Sequence, residues 1–327
     1  MHLLDQVARA NERIVVSAPH SAAPLCLPGT DVLATAVASC PLRYVLHDDV
    51  TELCTELAFE DDTMLGSSVE LLRVPAPALW VEFVGGARHK VFSDLGRLGA
   101  ANESRQRIGL LSTSDERGRR GRIDVCWESL AGLTPDVAPF AIEYDFDDAS
   151  YSDVGRCADR GPSIGVTVAG HPPLDGLFKH VRYTLRPEWH QYYAQFAADD
   201  RHYRGLVRQA VDPLLEDVPF FAMFCLLVLS KSALREQHSD RRRLNEARAT
   251  RGRAPLLDHV EVTMNLASGA TREAPAGHRS SPRLHFVRGH LVRRGNAIHW
   301  RTSHMRGKPE IGSIRSRTIS LRMSSRV

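Results

Sequence analysis

Residues 140–147 read FAIEYDFD. Phe140, Ile142, Tyr144 and Phe146 alternate with Ala141, Glu143, Asp145 and Asp147. A period of two, apolar on one side and acidic on the other, fits a half-buried antiparallel strand and excludes a helix. ALWVEFV, QRIGLLS and GRIDVCWES, upstream of it, are short runs rich in β-branched and aromatic residues, bounded by Gly, Pro, Asp or Ser. SIGVTVAG and KHVRYTL add two candidate strands. Residues 70–185 therefore predict an antiparallel meander sheet with one covered face.

Helical patterns flank it. DQVARANERIVV, DVLATAVASC and DVTELCTELAF make residues 1–65 a helical region, the last two opened by an Asp suited to the N-cap. Residues 187–238 continue as helices. Within them VPFFAMFCLLVL, Val218 to Leu229, is the longest apolar run. Twelve residues fall short of the roughly 20 that span a bilayer, so a buried helix packed on the sheet is expected. Pro219 ends a short helix or starts the next. The fold class is α+β: an antiparallel meander with packed helices and a basic C-terminal β-hairpin module.

Charge divides the chain. Residues 241–327 hold 19 Lys+Arg against 5 Asp+Glu, whereas residues 1–240 hold 23 against 34. The expected organisation is an acidic body over 1–240 and a basic β module over 241–327. Dense basic segments favour polyanions, because neutralised phosphates release counterions. The alternative is that the basic segment docks on the acidic body. Arginine accounts for 38 of the 42 cations, a bias that a GC-rich coding sequence also produces. RRRLNEARATRGRAP, Arg241 to Pro255, reads as a basic linker or short helix ended by Gly252 and Pro255. LLDHVEVTMNL reads as a strand, Ala267 to Pro282 as a loop, and RSRTISLRM as a last strand.

The candidate site lies in residues 283–307, RLHFVRGHLVRRGNAIHWRTSHMRG. Gly295-Asn296 between two alternating runs signals a tight turn. A two-residue loop pairs Arg294 with Ala297, Arg293 with Ile298, Val292 with His299, Leu291 with Trp300, and His290 with Arg301. Val287, Leu291, Ile298 and Trp300 then form an anchor face, with His285 and His304 toward the open end. Phe286, Arg288, His290, His299 and Arg301 form a cationic face.

Three readings of that face stand side by side. In one, Arg288, Arg293, Arg294 and Arg301 bind phosphates while Phe286 or the histidines stack on bases. In another, His290 and His299 act as a general acid/base pair on an RNA phosphodiester, since imidazole titrates near neutrality, and an arginine stabilises the developing charge. In the third, the face is solvated or docked on the protein itself. None needs a metal or cofactor. His285 and His290 fall on opposite strand faces with no cysteine nearby, which argues against zinc. Glu143, Asp145 and Asp147 are a possible Mg²⁺ face, an ordinary solvated face, or a receiver for the basic hairpin. Trp80 and Glu82 share a strand face and read as structural.

No GxGxxG, Walker A, HExxH, GxSxG or kinase-like pattern occurs. The six cysteines lack metal-ligand spacing and read as reduced thiols of a cytoplasmic protein. The N-terminus has no signal-peptide pattern.

LNEARATRGRAPLLDHVEV, followed by RSSPRLHFVRGHLVRRGNAIHWRTSHMRG, resembles a group of phage and prophage proteins of proteobacteria. Asn245, Arg248, Arg251, Gly252, Pro255 and Leu256 carry the first part of the pattern. Ser281, Pro282, His285, Arg288, Gly289, His290, Trp300, His304, Arg306 and Gly307 carry the second. The resemblance covers about the last 85 residues. It implies a viral or prophage origin and carries no activity with it. The function expected is that of a phage accessory protein in the host bacterial cytoplasm, binding nucleic acid in regulation or counter-defence. The alternatives are a metal-independent ribonuclease and a protein–protein module, a virion component or an inhibitor with a charged host or phage protein as partner.

Overall fold

A computed structural model describes residues 2–9, 14–16, 25–27, 30–59, 62–95, 107–128, 135–153, 163–164, 172–196, 198–230, 233–265, 283–287, 289–295, 297–301, 304–306 and 308–313. The chain divides into two compact units: residues 1–229 with 234–264, and residues 230–233 with 265–327. The basic stretch 241–264 thus belongs to the first unit.

In chain order the first unit contains α1 (Leu3–Arg9), β1 (Ile14–Val16), β2 (Leu25–Leu27), α2 (Thr30–Ser39), β3 (Leu42–Leu46), α3 (Asp48–Phe59), α4 (Asp62–Ser68), β4 (Ala78–Val84), α5 (Gly85–Asp94), β5 (Arg107–Ser114), β6 (Arg120–Glu128), β7 (Pro135–Val137) and β8 (Phe140–Asp145). There follow β9 (Ser163–Ile164), α6 (Pro172–Phe178), β10 (Val181–Leu185), α7 (His190–Ala194), α8 (Asp200–Val211), α9 (Asp217–Leu229), β11 (Leu234–His238), α10 (Arg242–Ala249) and β12 (Val260–Met264). The main sheet has the order β11-β12-β3-β4-β5-β6-β8-β10-β9, with β7 also on β6.

The expected antiparallel meander is not what forms, although the neighbours from β4 to β10 run antiparallel. The sheet is mixed, because β3 runs parallel to both β12 and β4. α3 and α4 stand between β3 and β4 in the chain, and a parallel neighbour requires such a crossover. Two further expectations are corrected. Residues 42–46 lie inside the stretch expected to be helical, and residues 234–238 inside the second such stretch, yet both are strands. LREQH is an exposed strand whose only neighbour among the described residues is β12, so it needs no apolar alternation. The strand expected from SIGVTVAG is described only at Ser163–Ile164. The loop 267–282 and the strand expected from RSRTISLRM lie outside the described residues.

One face of the sheet is the core. Tyr44, Val81, Leu110, Val125, Ile123, Ile142 and Tyr183 follow one another across it in register. α9 covers this face, with Phe220 at 4.3 Å from Phe83 and Phe224 at 5.5 Å from Tyr44. Residues Asp217 to Leu227 of α9 are buried on every side, as the apolar run demanded. Pro219 is its third residue, where a missing N–H leaves no intrahelical bond unmade. Among the described residues no helix is long and apolar enough to cross a membrane.

The second unit contains β13 (Arg283–Val287), β14 (His290–Arg294), β15 (Ala297–Arg301), β16 (His304–Arg306) and β17 (Lys308–Ser313). β13 lies between antiparallel β16 and parallel β17, and β14 pairs with β15.

Candidate nucleic-acid interface

The β14–β15 hairpin adopts the register that its turn predicts. Arg294 pairs with Ala297, Arg293 with Ile298, Val292 with His299, Leu291 with Trp300, and His290 with Arg301. Gly295 takes φ 57°, a conformation that glycine reaches without steric cost. β13 and β16 pair in a separate sheet, with Val287 opposite His304.

Burial sorts its two faces. Leu291, Ile298 and Trp300 are buried, while Arg294, Ala297, His299 and Arg301 are exposed and His290 is half-buried. Trp300 also explains Gly289. A Cβ at Gly289 would stand 2.5 Å from Cζ2 of the indole, so the ring lies where only a glycine leaves room. The anchor is thus an aromatic ring on bare backbone, a device that compensates for a glycine's weak strand propensity.

The cationic face brings His290, His299, Arg294 and Arg301 together. The two histidines are diagonal neighbours, a relation that sets residues roughly 7–8 Å apart. Arg293 alternates onto the anchor side but is exposed beside the turn, its Nε donating to Gly295 O at 3.2 Å. Phe286 is on β13, paired with Met305, in the β16-β13-β17 sheet and not in the β14–β15 pair. Arg288 lies outside the described residues. No acidic residue occurs between Glu273 and Glu310, so the hairpin's own sequence offers its arginines no carboxylate.

The acidic face of β8 is different. Arg182 donates from Nε and Nη2 to Glu143 Oε2 at 2.8 and 2.5 Å and stacks over Tyr151 at 4.2 Å. Arg120 pairs with Asp145 at 3.6 Å, and Arg119 with Asp147 at 2.6 Å. Arg186 and Arg122 both donate to Asp124, at 2.6 and 2.9 Å. A cleft of about 310 Å³ lies here, lined by Asp115, Arg120, Arg122, Glu143 and Tyr151 among others. Its carboxylates are already engaged, since Asp115 accepts the backbone N–H of Arg119 at 2.9 Å. Among the described residues no group of His, Cys, Asp and Glu is arranged to hold a metal ion.

Sequence reasoning missed a buried polar cluster under α1. Glu82 is wholly buried and accepts the N–H groups of Leu3 and Leu4 at 2.9 Å, Trp80 Nε1 at 3.4 Å and Arg107 Nη1 at 3.0 Å. His2 Nδ1 lies 3.3 Å away. Burial alone would raise the carboxyl's pKa, but the hydrogen bonds from His2, Leu4 and Leu3 outweigh it and hold the pKa below the usual carboxylate range. His259 stacks on His2 at 4.6 Å and faces Arg241 at 3.4 Å. Desolvation, reinforced by those two neighbours, lowers its pKa. Glu82 caps the first turn of α1 and has no lone pair to spare for chemistry, so Trp80 and Glu82 are structural. His2, Arg107 and His259 come from distant segments, and no local spacing marks them.

No protein-family model matches the chain, and no curated protein or solved structure matches it significantly.

Proposed function

We propose that this protein binds nucleic acid through the exposed face of the β14–β15 hairpin. The observation that carries the reading is the separation of faces. Leu291, Ile298 and Trp300 anchor one side, while Arg294, His299 and Arg301 stand in solvent on the other. Arginines held on a rigid ladder contact phosphates, and the imidazoles are placed to stack on bases or to bond to them. Arg293 extends the cationic strip at the turn. In the phage setting that the C-terminal resemblance implies, such binding would serve regulation, genome handling or counter-defence in the host cytoplasm.

The test is binding of the full chain to labelled single- and double-stranded RNA and DNA, titrated from low to physiological salt with EDTA present. Affinity should fall steeply with salt. The Arg294→Ala/Arg301→Ala double variant should bind more weakly, with a log–log salt slope smaller by about 1.8 on B-DNA. Absence of binding at low salt would overturn the reading and leave the hairpin as a surface for a charged protein.

A second reading rests on the diagonal placement of His290 and His299 on one face. Two imidazoles there can act as acid and base on an RNA phosphodiester with no metal. The same samples on a denaturing gel decide it. Cleavage that survives EDTA and disappears in His290→Ala supports catalysis, and intact RNA ends it.

A further inference from the structure

α10 should not persist on its own. It has eight residues, none of them buried, and isolated helices of that length are marginal in water. The fold holds it out by other means. The Asn245 side chain donates to Leu256 O at 2.9 Å and accepts from Leu256 N–H at 2.8 Å. Arg248 Nε donates to Ala254 O at 2.9 Å, and Arg9 Nη2, from α1, donates to Pro255 O at 2.9 Å. Asp5 accepts the N–H of Leu257 at 2.8 Å.

The helix end is closed with equal care. Gly252 takes φ 63°, its N–H reaches Ala249 O at 3.0 Å, and Arg253 N–H reaches Arg248 O at 2.9 Å. That pair of bonds is a Schellman cap. Asn245, Arg248, Arg9 and Asp5 are thus committed to fixing a helix none of whose residues is buried.

Its outward surface has a definite composition. Arg241, Asn245 and Arg248 are half-buried and mark the inner side. Arg242, Arg243, Leu244, Glu246, Ala247, Ala249 and Thr250 are exposed, Leu244 at 48%. Arg251 and Arg253 follow, also exposed. Glu246 lies 3.9 Å from Arg242 and offsets it. Arg243, Arg251 and Arg253 make no ion pair among the described residues. Arg243 stands in the first turn of α10, whereas Arg251 and Arg253 lie in the turn that follows Ala249 at its other end. Between them the small side chains Ala247 and Thr250 share the exposed surface with Glu246 and Leu244.

We infer that α10 is a second nucleic-acid contact, one that enters the major groove of double-stranded DNA. That groove is about 12 Å wide and admits a helix, so Arg243 at one end and Arg251 with Arg253 at the other reach phosphates on opposite rims. Ala247 and Thr250, three residues apart and so on one face, let the helix approach the base edges, where alanine and threonine methyls meet thymine methyls. A-form RNA has a deep, narrow major groove that side chains cannot read, so the site selects DNA duplexes over RNA duplexes. The assignment stands on a different element from the hairpin and does not depend on it.

The experiment is fluorescence anisotropy of the full chain with a DNA duplex and an RNA duplex of one sequence, titrated with salt. Arg243→Ala/Arg251→Ala should weaken DNA binding by about tenfold or more, reduce the salt slope by about 1.8, and leave RNA binding unchanged. Ala247→Glu removes no arginine and should weaken DNA binding as well. All three positions are exposed, and an unchanged circular dichroism spectrum verifies the fold of each variant. Equal losses on both duplexes, or no loss on DNA, would overturn the inference. If Arg294→Ala/Arg301→Ala abolishes binding while the α10 variants bind normally, the hairpin reading stands and this one falls. If only the α10 variants lose DNA, this one stands and the hairpin reading falls.

Discussion

The polar face of the central sheet and the exposed face of the hairpin are both rich in arginine, and the two put it to opposite use. On the sheet, arginine is answered across or along the strands: Arg182 by Glu143, Arg120 by Asp145, Arg186 and Arg122 by Asp124. On the hairpin, Arg301 stands opposite His290, and Arg294 opposite Ala297. Charge density alone therefore does not locate a binding surface. Cross-strand register does, because it decides whether a cation meets a partner from its own chain.

The largest effect should come from breaking the sheet's pairing. Arg182 is 2% exposed, so Glu143→Ala leaves a buried guanidinium without its carboxylate. Unfolding in urea should show a loss of about 3–5 kcal/mol. Removing both partners in Arg182→Leu/Glu143→Leu should recover most of it, since a packed apolar pair avoids the desolvation cost. A loss of under 1 kcal/mol in Glu143→Ala would mean that this ladder is as loosely held as a surface.

Trp300→Ala is the corresponding break on the hairpin. It strikes the anchor, not the charges. Trp300 is 9% exposed and covers Gly289, and a buried Trp→Ala change costs about 3 kcal/mol or more. Limited proteolysis should open the segment 283–301 first, leaving the first unit intact. Simultaneous digestion of both units would show that the hairpin does not unfold separately.

How much of this was legible follows from how local each feature is. The hairpin register comes from Gly295-Asn296 and the two runs beside it, so sequence sufficed. The apolar run of α9 and the alternation of β8 are local in the same sense. β3 was not legible. LRYVL is five residues between two helical patterns, and its partners lie at 79–82 and 260–262. The ion pairs were hidden for the same reason, since Glu143, Arg182, Asp124 and Arg186 meet only once three strands are aligned. α10 gave more of a signal. Gly252 marks its end, but its role depends on Asn245, Arg248 and Arg9 reaching backbone carbonyls that no pattern announces.

Acid should sharpen the contrast within the first unit. His259 has a lowered pKa when folded, because burial opposes its charge, so the unfolded chain binds a proton that the folded chain does not. Stability must then fall as pH drops from about 6.5 toward the folded value. Glu82, also lowered, contributes stability that is present above the unfolded carboxyl value of about 4.5 and is lost as pH falls through its folded pKa. Thermal melts from pH 7.5 to 3.5 should therefore decline in two stages. His259→Gln should flatten the first and Glu82→Gln the second. A single stage near pH 4 would remove His259 from the account.

The smallest effect on stability belongs to the cations of the hairpin, and its smallness is the point. Arg294 and Arg301 are exposed, and exposed substitutions away from a buried network change stability by within about 0.5 kcal/mol. Arg294→Ala/Arg301→Ala should thus unfold with wild-type midpoint and slope in urea, while its nucleic-acid affinity loses salt dependence. Variants of the sheet cations should show the reverse, with a large change in midpoint and none in binding. If the double variant instead loses more than 1 kcal/mol, the hairpin arginines are neutralised within the fold as the sheet arginines are. Their exposure would then be no guide to function, and the comparison from which the binding surface was inferred would fail at its own premise.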